Sequence, residues 1–249
     1  MNVPPPRSFA DLVGFHDRQV TGVSADREVH GTTVLSLRYD GGILTLADRR
    51  ATMGNLIMFD QAEKIMPLDD ATVVAISGSF ARSIEVCRML KHSYKYYRRM
   101  HMSSMSTEGK LQEISRALAG NMPMAMQGIG VFIPILSMYD SHSDEFKMFF
   151  FDAAGAQFLS GEYAAAGSGS ERIRGIFEYL TRTGKPWRER KLADVLKEGL
   201  RMLDIAADLD SATGGFGKTP PMAQLLDRDG TRPVDAALLT KTIETVLGR

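Results

Sequence analysis

Residues 31–48 read GTTVLSLRYDGGILTLAD, and this stretch decides the fold. Apolar and polar residues alternate on both sides of its centre, which is the pattern of strands with one buried face. The glycine pair at positions 41 and 42 is typical of a tight turn. The stretch therefore predicts an antiparallel hairpin and not the first strand of a βαβ unit.

Further strands and helices follow in separate runs. Strand patterns are ATVVAISGS, GIGVFIPILSMYD, EFKMFFFDAAG, AQFLSGEYAAAGSGS and PMAQLLDRDG, together with EKIMPLDD before them. Helical spacing covers 79–100, 106–122, 168–183, 190–208 and 233–247, and Ser106 or Thr107 is a plausible cap of the second helix. Runs of strands followed by runs of helices predict an α+β fold, with two antiparallel sheets face to face and helices outside.

The composition argues against a nucleic-acid-binding, a disulfide-bonded and a membrane-spanning protein. The 249 residues are ample for a buried core, and thirty basic residues balance thirty acidic ones, so nothing points to nucleic acid as the main partner. The single cysteine, Cys87, excludes an intrachain disulfide and is compatible with a reducing compartment. We interpret it as a small helix residue, not as a catalytic thiol. No apolar run is long enough for a membrane span and no secretory signal opens the chain, so we expect a cytoplasmic protein.

The first 31 residues differ from the rest. They are Pro-rich early, mixed later and without a sustained period, which indicates a loosely structured leader. From position 32 to 249 we find no internal repeat, low-complexity tract or linker. The sequence thus predicts one domain of residues 32–249 behind a separate segment of residues 1–31.

Several common kinds of site are disfavoured. GSGS at 167–170 lacks the Lys-Ser/Thr ending of a nucleotide P-loop, and no G-x-S-x-G elbow is present. The histidines show no metal-ligand or triad spacing; they are His16, His30, His92, His101 and His142. A threonine at the start of a chain needs no histidine to activate its hydroxyl. Its free α-amine titrates near neutral pH and can act as the base. A cut between Gly31 and Thr32 would create such a nucleophile, although a turn glycine before two strand threonines is also common.

A family resemblance strengthens the threonine hypothesis. GTTVLSLRYDGGILTLADRRATMGNLI, followed by AEKI, FDAAG, YAAAGSGS and DLDSATGG, resembles the β subunit of the actinobacterial-type 20S proteasome. The similarity runs from Thr32 to about residue 248. The family belongs to the N-terminal nucleophile hydrolases, whose four-layer αββα sandwich agrees with the predicted order of strands and helices.

The resemblance implies a catalytic set. Thr32 matches the nucleophile, Lys64 the active-site lysine, and Asp48 the carboxylate that pairs with this lysine. Gly78 matches the glycine whose N–H stabilises the oxyanion. Three further residues match the family's hydroxyl and carboxylate groups near the terminal amine: Ser168, Asp210 and Thr213. Many family members have serine where Thr213 stands, so the extra methyl group bears on fine positioning.

The resemblance also implies substrates and partners. Substrate backbone should pair as an added strand at Thr52, Gly78 and Phe80, beside a pocket of apolar preference formed by Ala51, Ala62, Ile76 and Phe80. No metal or organic cofactor is expected. The implied assembly has two seven-membered β rings between rings of an α subunit, with a separate ring ATPase as activator. Its substrates in bacteria are usually tagged with prokaryotic ubiquitin-like protein.

Four alternatives stay open. The first is the heat-shock-locus threonine peptidase of bacteria, which the late helices and DSATGG disfavour. The second is a small-molecule amidase of the same superfamily. The third is a non-catalytic ring subunit, against which the set of Thr32, Asp48 and Lys64 argues. The fourth is a monomeric binding domain with a disordered leader.

Overall fold

The computed structural model describes residues 31–54, 56–217 and 219–248, so the predicted leader lies outside the described residues apart from Gly31. The strands are β1 (Thr33–Tyr39), β2 (Gly42–Ala47), β3 (Ala51–Met53), β4 (Leu56–Phe59), β5 (Ile65–Asp69), β6 (Thr72–Ala75), β7 (Ile135–Asp140), β8 (Glu145–Phe151), β9 (Gln157–Ser160), β10 (Tyr163–Gly167), β11 (Met222–Asp227) and β12 (Gly230–Pro233). The α-helices are α1 (Phe80–His101), α2 (Thr107–Ala125), α3 (Ser170–Thr183), α4 (Leu192–Leu209) and α5 (Ala236–Leu247).

Two antiparallel five-stranded sheets form the centre of the molecule. The first has the order β10-β1-β2-β11-β12 and the second β5-β6-β7-β8-β9, while β3 and β4 form a separate hairpin. The predicted β1–β2 hairpin is confirmed, with Tyr39 opposite Gly42 at its turn. Alternation along β1 places successive side chains on opposite faces, so the sheet contributes to two cores at once.

The layers are defined by three apolar clusters. Val34, Ile43, Ile135 and Leu226 belong to the cluster between the two sheets. Leu35, Phe177 and Leu200 belong to the cluster of the first sheet with α3, α4 and α5. A third cluster joins the second sheet to α1 and α2. The predicted four-layer αββα sandwich is therefore confirmed.

Two strand predictions were wrong in extent. GIGVFIPILSMYD forms a regular strand only from Ile135 to Asp140, because Gly128 and Gly130 adopt positive φ and Pro134 lacks an N–H for the ladder. AQFLSGEYAAAGSGS contains two strands in different sheets, β9 and β10, and not one. The β3–β4 hairpin and β12 were not predicted.

The helices match their predicted positions to within three residues at each end. Ser106 caps α2, since its hydroxyl accepts a hydrogen bond from the Gly109 N–H. Cys87 is buried on α1, and burial raises the pKa of its thiol to about 12, so it stays protonated and unreactive. None of the helices in the described ranges combines the length and apolar character that crossing a bilayer requires.

Candidate functional site

The site begins at the mouth of β1, where Thr32 directly precedes the strand. The Thr32 side chain is buried, and its Oγ1 donates to the carbonyl oxygen of Gly31 at 2.5 Å. Lys64 Nζ donates to the same oxygen at 3.1 Å. A hydroxyl and an ammonium group therefore converge on the carbonyl of the peptide bond between Gly31 and Thr32.

A buried ion pair positions this ammonium group. Asp48 follows β2 and Lys64 precedes β5, so the pair connects the two sheets at one end of the sandwich. Asp48 Oδ1 accepts from Lys64 Nζ at 2.7 Å and from the Thr33 N–H at 2.8 Å. Asp48 Oδ2 accepts from the N–H groups of Arg50 and Gly214, each at 2.9 Å. With four donors, the carboxylate has a single well-defined orientation.

Burial also changes the chemistry of the lysine. The Lys64 side chain is 1% exposed and that of Asp48 is 0% exposed. Burial lowers the pKa of the Lys64 ammonium, and the Asp48 carboxylate opposes part of this shift. Lys64 thus gives up a proton more readily than a surface lysine does, which suits a group that exchanges protons with a neighbouring hydroxyl.

A second polar group lies on the other side of Thr32. Asp210 Oδ2 accepts from Ser168 Oγ at 2.7 Å and from Thr213 Oγ1 at 2.6 Å. Ser168 Oγ also reaches the Thr32 carbonyl oxygen at 3.4 Å. The extra methyl group of Thr213 therefore leaves its hydroxyl bonded to the carboxylate.

Thr33 joins the two polar groups. Its N–H bonds to Asp48, and its Oγ1 lies 2.6 Å from Thr213 Oγ1. Thr213 has a single hydroxyl proton and donates it to Asp210, so Thr33 must be the donor to Thr213. A directed chain of hydrogen bonds then runs from Thr33 through Thr213 to Asp210.

Sequence reasoning did not find three of these residues, Thr33, Arg50 and Gly214. Arg50 binds Asp60 at 3.1 Å and the carbonyl oxygens of Ser211 and Thr213 at 3.3 Å, which ties the β3–β4 hairpin to the loop that carries Asp210. The adjacent motifs LADRR and DSATGG contain Arg50 and Gly214, so their spacing was the available signal.

Gly78, the predicted oxyanion glycine, is not hydrogen-bonded to the Gly31 carbonyl in the part of the chain that the structure describes. It has φ +94°, a left-handed conformation that favours glycine, and an added Cβ would overlap the Val131 carbonyl oxygen. It forms a bridge opposite Phe132 through the N–H groups of Ser79 and Ile133, so its own N–H points away from that partner. Among the described residues, no hydrogen bond links Gly78 to Gly31, and its oxyanion role stays a prediction.

The predicted substrate residues fall in two environments. Thr52 adjoins Gly31, because a Cβ added to Gly31 would overlap Thr52 Oγ1. Ala51, Ala62 and Ile76 are buried, and Phe80 packs partly buried at the start of α1. Their role as a pocket for substrate side chains stays a prediction.

A metal centre finds no support within the described ranges. No group of three or more His, Cys, Asp or Glu residues there could hold a metal ion. His92 and His101 lie on α1 and His142 in the turn after β7, all outside the hydrogen-bonded groups around Thr32, while His16 and His30 are outside the described residues.

Known proteins resemble the chain along most of its length. The model of the family described as "Proteasome subunit" matches residues 28–216. "Proteasome subunit beta" of Acidimicrobium ferrooxidans is 32% identical over 243 residues, 94% of this chain and 87% of the relative. The protein of the same name from Acidothermus cellulolyticus is 33% identical, covering 88% and 76%, and that from Gordonia bronchialis is 31% identical, covering 98% and 82%. The chain therefore belongs to the proteasome β-subunit family.

Proposed function

We propose that this chain is the catalytic β subunit of a bacterial 20S proteasome, a threonine endopeptidase activated by its own cleavage between Gly31 and Thr32. One observation carries the proposal. The Thr32 hydroxyl and the Lys64 ammonium both bond to the Gly31 carbonyl oxygen, and a buried Asp48 fixes the lysine. A non-catalytic ring subunit would have no need of this arrangement.

The first reaction removes the leader. Thr32 Oγ attacks the Gly31 carbonyl carbon, while the Lys64 ammonium donates to the carbonyl oxygen and stabilises the developing oxyanion. The hydroxyl proton passes to the departing nitrogen of Thr32. The peptide C–N bond breaks, which leaves residues 1–31 as an ester on Thr32 Oγ. Water hydrolyses this ester, so the leader departs with a carboxylate and Thr32 keeps a free α-amine.

The same hydroxyl then acts on substrates. Ser168 contacts the Thr32 carbonyl and is held by Asp210, and we expect this pair to orient the new α-amine. This amine is the general base that activates the Thr32 hydroxyl, while the Lys64 charge favours its unprotonated form. The Gly78 N–H stabilises the oxyanion, and Thr52 with the apolar set of Ala51, Ala62, Ile76 and Phe80 binds residues before the cut.

The proposed function also includes assembly of the chain into a closed particle of stacked rings. We infer that residues 32–249 form the catalytic domain and assemble as seven-membered β rings between rings of a proteasome α subunit, in the cytoplasm. A ring ATPase would deliver unfolded proteins, including proteins tagged with prokaryotic ubiquitin-like protein. The names of the relatives support the proteasome over the heat-shock-locus peptidase and over a small-molecule amidase.

The test is the intact mass of this chain after co-expression with a candidate α subunit. We expect wild type to lose residues 1–31 and Thr32→Ala to retain them, with Thr32→Ser as the control that keeps a hydroxyl. Retention of the leader by wild type in fully assembled particles would contradict the threonine mechanism and favour a structural ring subunit.

A further inference from the structure

A groove opens beside the proposed active site, between the edges of the two sheets. Its volume is about 880 Å³, within the usual range for binding sites. Strand β10 is the edge of the first sheet and β9 is the edge of the second, and both line the groove. Its lining includes Gly78 and Ser168 and, on α3, Thr181.

The two sides of the peptide bond after Gly31 lead to different places. Gly31, before the bond, adjoins Thr52 and Ala212, which do not line the groove. The carbonyl of Thr32, after the bond, contacts Ser168, which does line it. The groove thus begins beside Thr32, on the side that carries Ser168 and not on the side of Thr52.

The lining combines apolar side chains, exposed on β9, with the charged side chains of Glu162, Glu171, Arg174 and Glu178. Phe150 and Phe158 lie with ring centroids 6.2 Å apart, and Phe158 and Leu159 are 52% and 68% exposed. The groove follows α3 from Ser170 to Thr181, about 16 Å at the helical rise, which accommodates roughly five extended residues.

The open edge of β10 offers backbone hydrogen bonds. The Arg38 N–H bonds to the Glu162 carbonyl, so in the antiparallel register Glu162, Ala164 and Ala166 direct their N–H and C=O groups toward β1. Ala165, between them, directs its N–H and C=O the other way, to the edge where no strand of the described residues pairs. An extended peptide can bond there as an added strand.

We propose that this groove binds the substrate residues that follow the scissile bond and selects apolar or aromatic side chains there. This inference rests on the proposed peptidase function and adds a second specificity site to it. The apolar side chains of β9 favour apolar substrate residues, the three glutamates of the lining disfavour acidic ones, and Ala165 gives the backbone register.

Two substrates with the same residues before the cut test the groove on assembled particles. One is a peptidyl coumarin amide, whose leaving group carries no amino acid. The other is an internally quenched peptide with four residues after the cut, either apolar or acidic. We expect wild type to cleave the apolar version with a kcat/KM about tenfold higher than the acidic version.

The variant Phe158→Ser separates the groove from the catalytic set. It should lower kcat/KM about fivefold for the apolar quenched peptide and leave the coumarin amide unchanged. Tyr96→Ser, a matched exposed aromatic on α1 outside the groove, should change neither. Equal loss on both substrates, or no loss on either, would overturn the groove proposal.

A measurement on wild type covers the case in which Phe158→Ser prevents assembly. Sequencing the fragments of a digested unfolded protein should show apolar residues enriched in the four positions after each cut. A uniform distribution there overturns the groove proposal alone, because cleavage itself has occurred. Failure of assembled wild type to cleave any substrate overturns the proposed function and this inference with it.

Discussion

Two buried lysines of this fold make similar ion pairs in different settings. Lys64 binds Asp48 at 2.7 Å at one end of the sandwich, and Lys110 binds Asp69 at 2.7 Å on the side of α2. The side chains of both lysines are at most 5% exposed. Burial and pairing alone therefore do not distinguish a reactive lysine from a structural one.

The two lysines differ in the groups that each contacts besides its paired carboxylate. Lys110 Nζ bonds to the Thr72 hydroxyl at 2.8 Å and lies 5.6 Å from the centre of the Tyr94 ring. Lys64 Nζ instead bonds to the Gly31 carbonyl oxygen, which also accepts from the Thr32 hydroxyl. Lys110 Nζ contacts only side chains here, whereas Lys64 Nζ contacts the peptide bond at the proposed cleavage site.

The largest expected effect comes from Lys64→Met compared with Lys110→Met. Lys64→Met should slow leader removal at least about 100-fold, because it removes the positive charge that stabilises the oxyanion at the Gly31 carbonyl. Lys110→Met should leave the rate of leader removal unchanged. Intact mass against time, in particles with the same α subunit, measures both.

The unfolding free energies of the two lysine variants provide the control for this comparison. Lys64→Met leaves Asp48 fully buried without its cation, at a cost of about 3–5 kcal/mol in unfolding free energy. Asp69 is 22% exposed, so Lys110→Met should cost less, about 1–3 kcal/mol. Equal slowing of leader removal by both variants would mean that lost stability, and not lost chemistry, explains the effect.

The pH dependence of stability should reveal the lowered pKa of Lys64. Between that lowered value and the ordinary lysine pKa of about 10.4, the unfolded chain binds more protons at this residue than the folded chain does. The unfolding free energy should therefore rise with pH in this window and level off above it. Urea unfolding of the Thr32→Ala precursor, with and without Lys64→Met, measures the difference; parallel curves for the two proteins would contradict it.

A smaller effect is expected at Thr33, the donor of the hydrogen-bond chain to Asp210. Thr33→Val should slow leader removal about five- to tenfold, the equivalent of one hydrogen bond. Thr45→Val is the matched control, since Thr45 is 1% exposed on the neighbouring strand and its hydroxyl bonds to the Ser36 hydroxyl at 3.0 Å. Thr33→Ser should restore the rate, and no rescue by serine would point to packing instead.

The smallest effect is expected at Ser106, the cap of the helix that carries Lys110. Ser106→Ala should lower the unfolding free energy by about 1 kcal/mol, because it leaves the Gly109 N–H without its partner. The rate of peptide cleavage should not change. Urea unfolding and a peptidase assay on the same preparation test both statements.

Sequence predicted the layers because alternation and helical spacing are local. The β1–β2 hairpin and the cap at Ser106 could be read from a few neighbouring residues. Thr33 could not, since its role depends on being paired with Gly167 on one side and bonded to Asp48 on the other. Only the register of three strands, set by packing across the sheet, creates that position.

Likewise, no local pattern separates β9 from β10. Their residues form one continuous strand pattern, and the turn at Gly161 sends them into different sheets. The groove between these strands is thus a product of topology. Resemblance supplied Asp210 and Ser168, which lie 42 positions apart, and the sequence alone has no spacing rule that joins them.

In the proposed mechanism, Gly31 also has a consequence after the leader has been cut. In the uncut chain Thr52 and Ala212 leave no room for a side chain at this position, and glycine has none with which to fill the proposed pocket. A cleaved leader is then held by its backbone alone and competes weakly with incoming substrates. In that mechanism the residue whose carbonyl the Thr32 hydroxyl contacts also makes the first product a poor inhibitor.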